Sequence, residues 1–149
     1  MSDPLSDLEQ AFVSAAAALS ADSRAKLTRE IAKMLRRSNA ARITRQVSPD
    51  GQSWAPRKPR RDPSHSIKGK LLVGYRKASI LRAKSTANDL EVGFLGALAR
   101  RARIHSEGLP DRVSKDGPMV KYTPRPLIGI SAEDERAIRE MITAHIAHG

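Results

Sequence analysis

The chain has 149 residues, 27 Lys/Arg against 16 Asp/Glu for a formal net charge of +11, and 40% hydrophobic but only 3% aromatic residues. That length suits a single domain with a real core, built from Leu, Ile, Val and Ala because rings are scarce. With no cysteine, disulfides and thiolate metal sites are excluded; no apolar run nears the roughly 20 residues of a membrane span, and no basic stretch leads into an apolar one as in a secretory leader, so the expected setting is a cytoplasm or a particle assembled there.

The first predicted element is a helix. Leu5, Leu8, Phe12, Ala15 and Leu19 recur at helical spacing as one apolar stripe, and Asp3-Pro4 is a good helix start. Ser20-Ala21-Asp22-Ser23 breaks the stripe and offers caps for a second helix over about 22–46. Leu27, Ile31, Met34, Leu35 and Ile43 supply its apolar face. That face thins after Leu35, so its last turns are expected to project and meet something else.

Residues 47–66 hold four of the nine prolines and read as an extended, basic arm. Pro49-Asp50-Gly51 is turn chemistry: Pro presets φ, Asp bonds its own backbone, and Gly accepts positive φ. Trp54, the chain's one Trp, follows this turn and precedes Arg57-Lys58-Pro59-Arg60-Arg61. Two readings stand: Trp54 folds over its own core, or it anchors a partner, a role for which Trp is enriched.

Residues 68–76 suggest a helical turn or two. Alternating polarity over 79–85 and 88–94, around Thr86-Ala87-Asn88-Asp89, predicts a β-hairpin in which Glu91 faces Lys84 or Arg82. A short helix is expected over 97–106, ending near Gly108, and then a polar loop over 109–121. Prolines 124 and 126 favour an extended run, with Leu127-Ile128-Gly129-Ile130 as an edge or closing strand. Ser131, with Asp134 three residues on, caps a final helix whose first turn is acidic. The sum is α+β: a small antiparallel β-sheet covered by helices, as one domain over 1–149 comprising a helical pair (1–46), the arm (47–66) and an α+β core with a C-terminal helix (67–149).

Charge follows the same order. Residues 1–22 carry four acids and no base, 23–103 carry 21 Lys/Arg against 5 acids, and 104–149 carry 6 against 7. A basic middle attracts polyanions, either DNA or an acidic protein surface, without implying sequence reading. No catalytic constellation stands out. His145 and His148 share a metal-type spacing at the end of the last helix but lack further ligands. His105-Ser106-Glu107 are neighbours in sequence and so do not face one another on a helix. Gly93-Phe94-Leu95-Gly96 lacks the spacing and Lys of a phosphate loop. Neither an enzyme nor a cofactor is indicated.

Several separated segments together resemble one family: Ile31-Ala32-Lys33-Met34-Leu35-Arg36, Pro49 to Arg57, Val92-Gly93-Phe94, Ile104-His105-Ser106-Glu107-Gly108, and Pro124 to Ser131 before an acidic helix start. In these and their order the chain is similar to the virion morphogenesis or tail completion proteins of contractile-tailed temperate phages. Ser106 and Glu107 depart from the family's usual Gln and variable residue. The resemblance implies a small α+β virion subunit, without catalysis, that finishes the tail and readies it to join the head, assembled in the bacterial host cytoplasm. It further implies a homo-oligomer, a hexameric ring matching tail symmetry, contacting tail and neck or connector proteins. On this reading Trp54, Arg57, Lys58, Arg60, Arg61 and Arg125 meet partners. The alternative is an accessory protein that binds DNA non-specifically; no membrane contact is expected.

Overall fold

The computed structural model describes residues 4–58, 64 and 69–148. Its elements are α1 (Pro4–Ala18), α2 (Ala21–Arg45), a 3-10 turn (Val73–Arg76), β1 (Arg82–Ser85), β2 (Leu90–Gly93), α3 (Gly96–Glu107), β3 (Pro110–Arg112), β4 (Met119–Lys121) and α4 (Ala132–His148). The class is α+β, as read from the sequence. The strands form two separate antiparallel hairpins, β1–β2 and β3–β4.

These elements fall into two compact units that interleave along the chain. The first comprises residues 1–38, 82–93 and 130–149, and the second 39–81 and 94–129. This partition cuts across the chain-order division into helical pair, arm and core.

The first unit packs α1, α2 up to Ser38, the β1–β2 hairpin and α4 around Leu8, Ala15, Leu19, Leu27, Ile31, Leu35, Ile138 and Ile142, with Phe12, Leu90 and Val92 against them. The spacing of Leu27, Ile31 and Leu35 puts one row of side chains on one helix face, and this row is buried. The predicted α1 stripe is likewise buried at Leu8, Ala15 and Leu19; the side chain of Leu5 lies outside the described residues. Ser20 Oγ accepts the Ser23 N–H at 3.2 Å and caps α2. The hairpin register pairs Lys84 with Glu91, as expected. Its turn is closed by Thr86, whose hydroxyl accepts from the backbone of Asn88 and Asp89, both at 3.1 Å. Arg24 Nε donates to the Ala87 carbonyl at 3.3 Å, and Thr28 Oγ1 to the Thr86 carbonyl, which ties the turn to α2. At α4, the Ser131 N–H bonds Asp134 Oδ2 and the Asp134 N–H bonds Ser131 Oγ, each at 3.0 Å, a complete reciprocal cap. Asp134 is buried and also accepts from the Ser38 hydroxyl.

The second unit centres on Ile43, Trp54, Ala102 and Leu127, with Leu71, Leu72, Tyr75, Phe94 and Ile128 packed against them. Three expectations are corrected here. The end of α2 does not project: Asn39, Arg42 and Ile43 are all buried. It buries polar groups where an apolar stripe was looked for. Asn39 Oδ1 accepts Arg42 Nη2 at 2.6 Å and the Gly129 N–H at 2.9 Å, and Arg42 Nη2 also reaches the Gly129 carbonyl at 2.9 Å.

Nor is 126–130 a strand. Its backbone is held by the Asn39 side chain, by Ser106 Oγ, which accepts the Leu127 N–H at 3.3 Å, and by indole and guanidinium groups, not by a sheet ladder. Lastly, the polar stretch 109–121 contains the β3–β4 hairpin, with Asp111 opposite Val120. Gly108 ends α3 in the left-handed region at φ 70°, where its N–H returns to the Ile104 carbonyl.

Candidate functional site

The Pro49-Asp50-Gly51 turn forms as its residues dictate. Ser48 N–H bonds the Gln52 carbonyl at 2.8 Å, Gly51 N–H bonds the Ser48 carbonyl at 2.9 Å, and Asp50 Oδ1 accepts the Gln52 N–H at 3.0 Å. Gly51 sits at φ 92°. The turn packs on Gly129, where an added Cβ would lie 2.7 Å from the Pro49 ring. Only a glycine lets these two segments approach so closely.

Trp54 follows the turn and is 7% exposed. Its backbone N–H bonds the Gln46 carbonyl at 2.8 Å and its Nε1–H bonds the Pro126 carbonyl at 3.1 Å. Of the two readings left open by the sequence, the indole takes the first and belongs to its own core. Arg125 is 8% exposed. Its Nε donates to the Ala55 carbonyl at 2.9 Å and its Nη2 to the Pro56 carbonyl at 3.0 Å. Burial, and then the neighbouring Arg57 charge, pull its pKa below the ordinary arginine value. One aromatic and one cation expected to face a partner thus clamp the start of the proline-rich arm onto its own unit. Arg57 is half-buried and donates to the Gly69 carbonyl at 3.3 Å, while Lys58 is exposed. Arg60 and Arg61 lie outside the described residues.

A second feature was not singled out by the sequence. Between α3 and the β3–β4 hairpin is a cleft of about 450 Å³ lined by Arg100, Arg101, His105, Asp111, Arg112, Lys115 and Tyr122, among others. It is invisible in one dimension because the hairpin was read as loop. Asp111 sits 3.3 Å from Arg100. Its pKa is held below the usual carboxylate value, chiefly by the Arg112 backbone N–H and further by Arg100. The rings of His105 and Tyr122 meet edge to face, centroids 4.9 Å apart. Burial, and then Arg125, push the His105 pKa below the imidazole value, with Asp111 opposing. That ring is therefore neutral at pH 7.

His105, Ser106 and Glu107 do not act together. Ser106 faces Leu127, and Glu107 pairs with Arg103 at 3.1 Å. His145 contacts Glu30 at 2.8 Å. Among the described residues no group of three or more His, Asp or Glu is placed to hold a metal ion, and no helix is long and apolar enough to cross a membrane. Large apolar side chains stand exposed on both units: Val13, Ile130 and Ile146 on the first, and Leu95, Val113 and Met119 on the second.

Against known proteins, the phage virion morphogenesis family matches residues 3–147. The chain is also similar to a protein named tail completion protein S of Escherichia phage P2, 33% identical over 131 residues that cover 86% of this chain and 87% of that protein. No solved structure matches the chain.

Proposed function

The chain belongs to the phage virion morphogenesis family, and from that premise we propose that it is a tail completion protein of a virion. It finishes the tail and makes it competent to join the head, acting through protein–protein contacts without catalysis. The observation that carries this reading is the similarity to a named tail completion protein across most of both chains. The surface supports it. Large exposed apolar residues on both units are the raw material of interfaces between subunits. The working form is a ring of identical subunits, hexameric to match a tail, since head-to-tail contacts of one surface with another close only by rotation. The basic run Arg57-Lys58-Pro59-Arg60-Arg61 meets a neighbour in that ring or in the neck. Trp54 and Arg125 serve this contact indirectly, by fixing Ala55 and Pro56 just before the run.

The test is a phage in which the gene for this chain is interrupted. Separate heads and tails should accumulate in electron micrographs, and added purified protein should restore joined particles. Normal joined virions without the protein would overturn the proposal. Light scattering on the purified chain, alone and with tail components, tests the ring; a monomer under both conditions would remove it. Reversing Arg57, Lys58, Arg60 and Arg61 to Glu should block joining while the fold stays intact by circular dichroism, and unimpaired joining would exclude the arm.

A further inference from the structure

Charge is divided unevenly between the two units. The stretches of the second unit hold 17 Lys/Arg against 5 Asp/Glu, a net of +12, and those of the first hold 10 against 11, a net of −1. The positive field of the protein therefore belongs to one unit. Within that unit, the cleft between α3 and the β3–β4 hairpin gathers Arg100, Arg101, Arg112 and Lys115. One carboxylate stands among them, and Asp111 is already taken by Arg100. Among the described residues, Arg101 and Lys115 sit in no ion pair, although both are exposed and free to reach one. Arg112 donates Nη1 to the Gly117 carbonyl at 3.1 Å, which fixes its guanidinium without neutralising it.

Like charges facing one small cleft repel, and a bound anion relieves that repulsion. Guanidinium forks and a Lys ammonium match phosphate oxygens in geometry and charge. The lining also includes Ile104 and the His105 and Tyr122 rings, apolar surface against which a sugar or base can rest. A phosphate backbone offers evenly repeated charge to such a rim and needs no side-chain complementarity. An acidic protein segment would leave these rings without a role.

We propose that this cleft grips the phosphate backbone of a nucleic-acid strand without reading its sequence. The inference goes beyond tail completion and does not rest on it.

The experiment is fluorescence anisotropy on the full chain with labelled strands of about 20 nucleotides, single-stranded and duplex, over a series of salt concentrations. Arg101→Glu/Lys115→Glu is compared with Lys26→Glu/Arg29→Glu, an exposed pair on α2 of the first unit with the same change in net charge. The cleft pair should weaken binding by about tenfold or more and lower the salt slope by about 1.4–1.8, the loss of two phosphate contacts, whereas the α2 pair should weaken it by less than about threefold. Binding of either strand form with this pattern supports the cleft, and the tighter form names the source. Equal weakening by both pairs, or poly-glutamate competing as well as nucleic acid at equal charge, would overturn it. Should the cleft variant not fold, the unaltered protein still decides. Bound strand must protect Lys115 from acetylation while Lys26 stays reactive; equal reactivity at Lys115 with and without the strand refutes the proposal.

Discussion

Truncating Trp54 separates a core indole from a partner anchor. In Trp54→Ala the backbone N–H bond to Gln46 at 2.8 Å remains, while a side chain only 7% exposed and its 3.1 Å bond to the Pro126 carbonyl are lost. Removing a buried aromatic ring costs about 3–5 kcal/mol, transfer and cavity combined. At about 2–4 °C per kcal/mol for a chain near this size, a loss of ~4 kcal/mol lowers the melting temperature by about 8–16 °C. Trp54→Phe keeps most of the apolar area but leaves the Pro126 carbonyl without its donor, a loss of about 1–2 kcal/mol. The assay is urea unfolding followed by far-ultraviolet circular dichroism, with the unaltered protein also followed by its lone Trp emission, which should shift to the red in the same transition. A Trp54→Ala protein within about 0.5 kcal/mol of the unaltered one would refute the packing argument and return the indole to an anchor role.

Three further outcomes follow from the geometry. Gly108→Ala places a Cβ at φ 70°, 2.8 Å from the Tyr122 carbonyl oxygen and 2.7 Å from the Pro124 ring, so it should lose at least ~2 kcal/mol in a thermal melt; an unchanged melt would contradict the close approach. Ser131→Ala should cost about 1 kcal/mol as a lost helix cap, and Asp134→Ala about twice that, because Asp134 is buried and also accepts from Ser38; the reverse order would argue against the reciprocal cap. The lowered pKa of His105 means that the unfolded chain takes up a proton there before the folded one does, so its contribution is intact above the ordinary imidazole value of about 6.5 and is lost as pH falls below it. The stability of the unaltered protein should therefore drop more steeply on acidification from pH ~7 than that of His105→Gln, and parallel pH profiles would exclude burial as the cause.

The sequence was most legible where local chemistry and packing ask for the same thing. The rows Leu8–Ala15–Leu19 and Leu27–Ile31–Leu35 are both periodic and buried. The Lys84–Glu91 register follows from alternation around a turn that Thr86 closes with its own hydroxyl. The Asp50 turn and the Ser131–Asp134 cap are bonds between near neighbours. Legibility failed where burial is polar. Asn39 and Arg42 carry no hydrophobic signal, so the end of α2 looked unsupported, yet Asn39 supplies one acceptor to both Arg42 and Gly129 across 90 residues of chain. The same substitution of side-chain bonds for ladder bonds made 126–130 look like a strand: an extended apolar run needs its N–H groups satisfied, and the sequence does not say by what. Arg125 was misleading for a related reason. A cation between two prolines reads as exposed, but two carbonyls at 2.9 and 3.0 Å are enough to bury it.

The charge pattern shows the same limit on a larger scale. A linear window assigns the positive field to residues 23–103 and calls 104–149 neutral. The window mixes two units. It counts Arg24 through Arg37 as basic, although they share the first unit with the acidic start of α1 and with α4, which balance them to a net of −1. It dilutes Arg112, Lys115, Lys121 and Arg125 with the acids of α4, although these four belong to the second unit. Grouped by unit, +12 belongs to the second and −1 to the first. Long-range attraction of anions acts on the second unit alone, whereas the exposed Val13, Ile130 and Ile146 of the first unit offer contacts that salt does not screen.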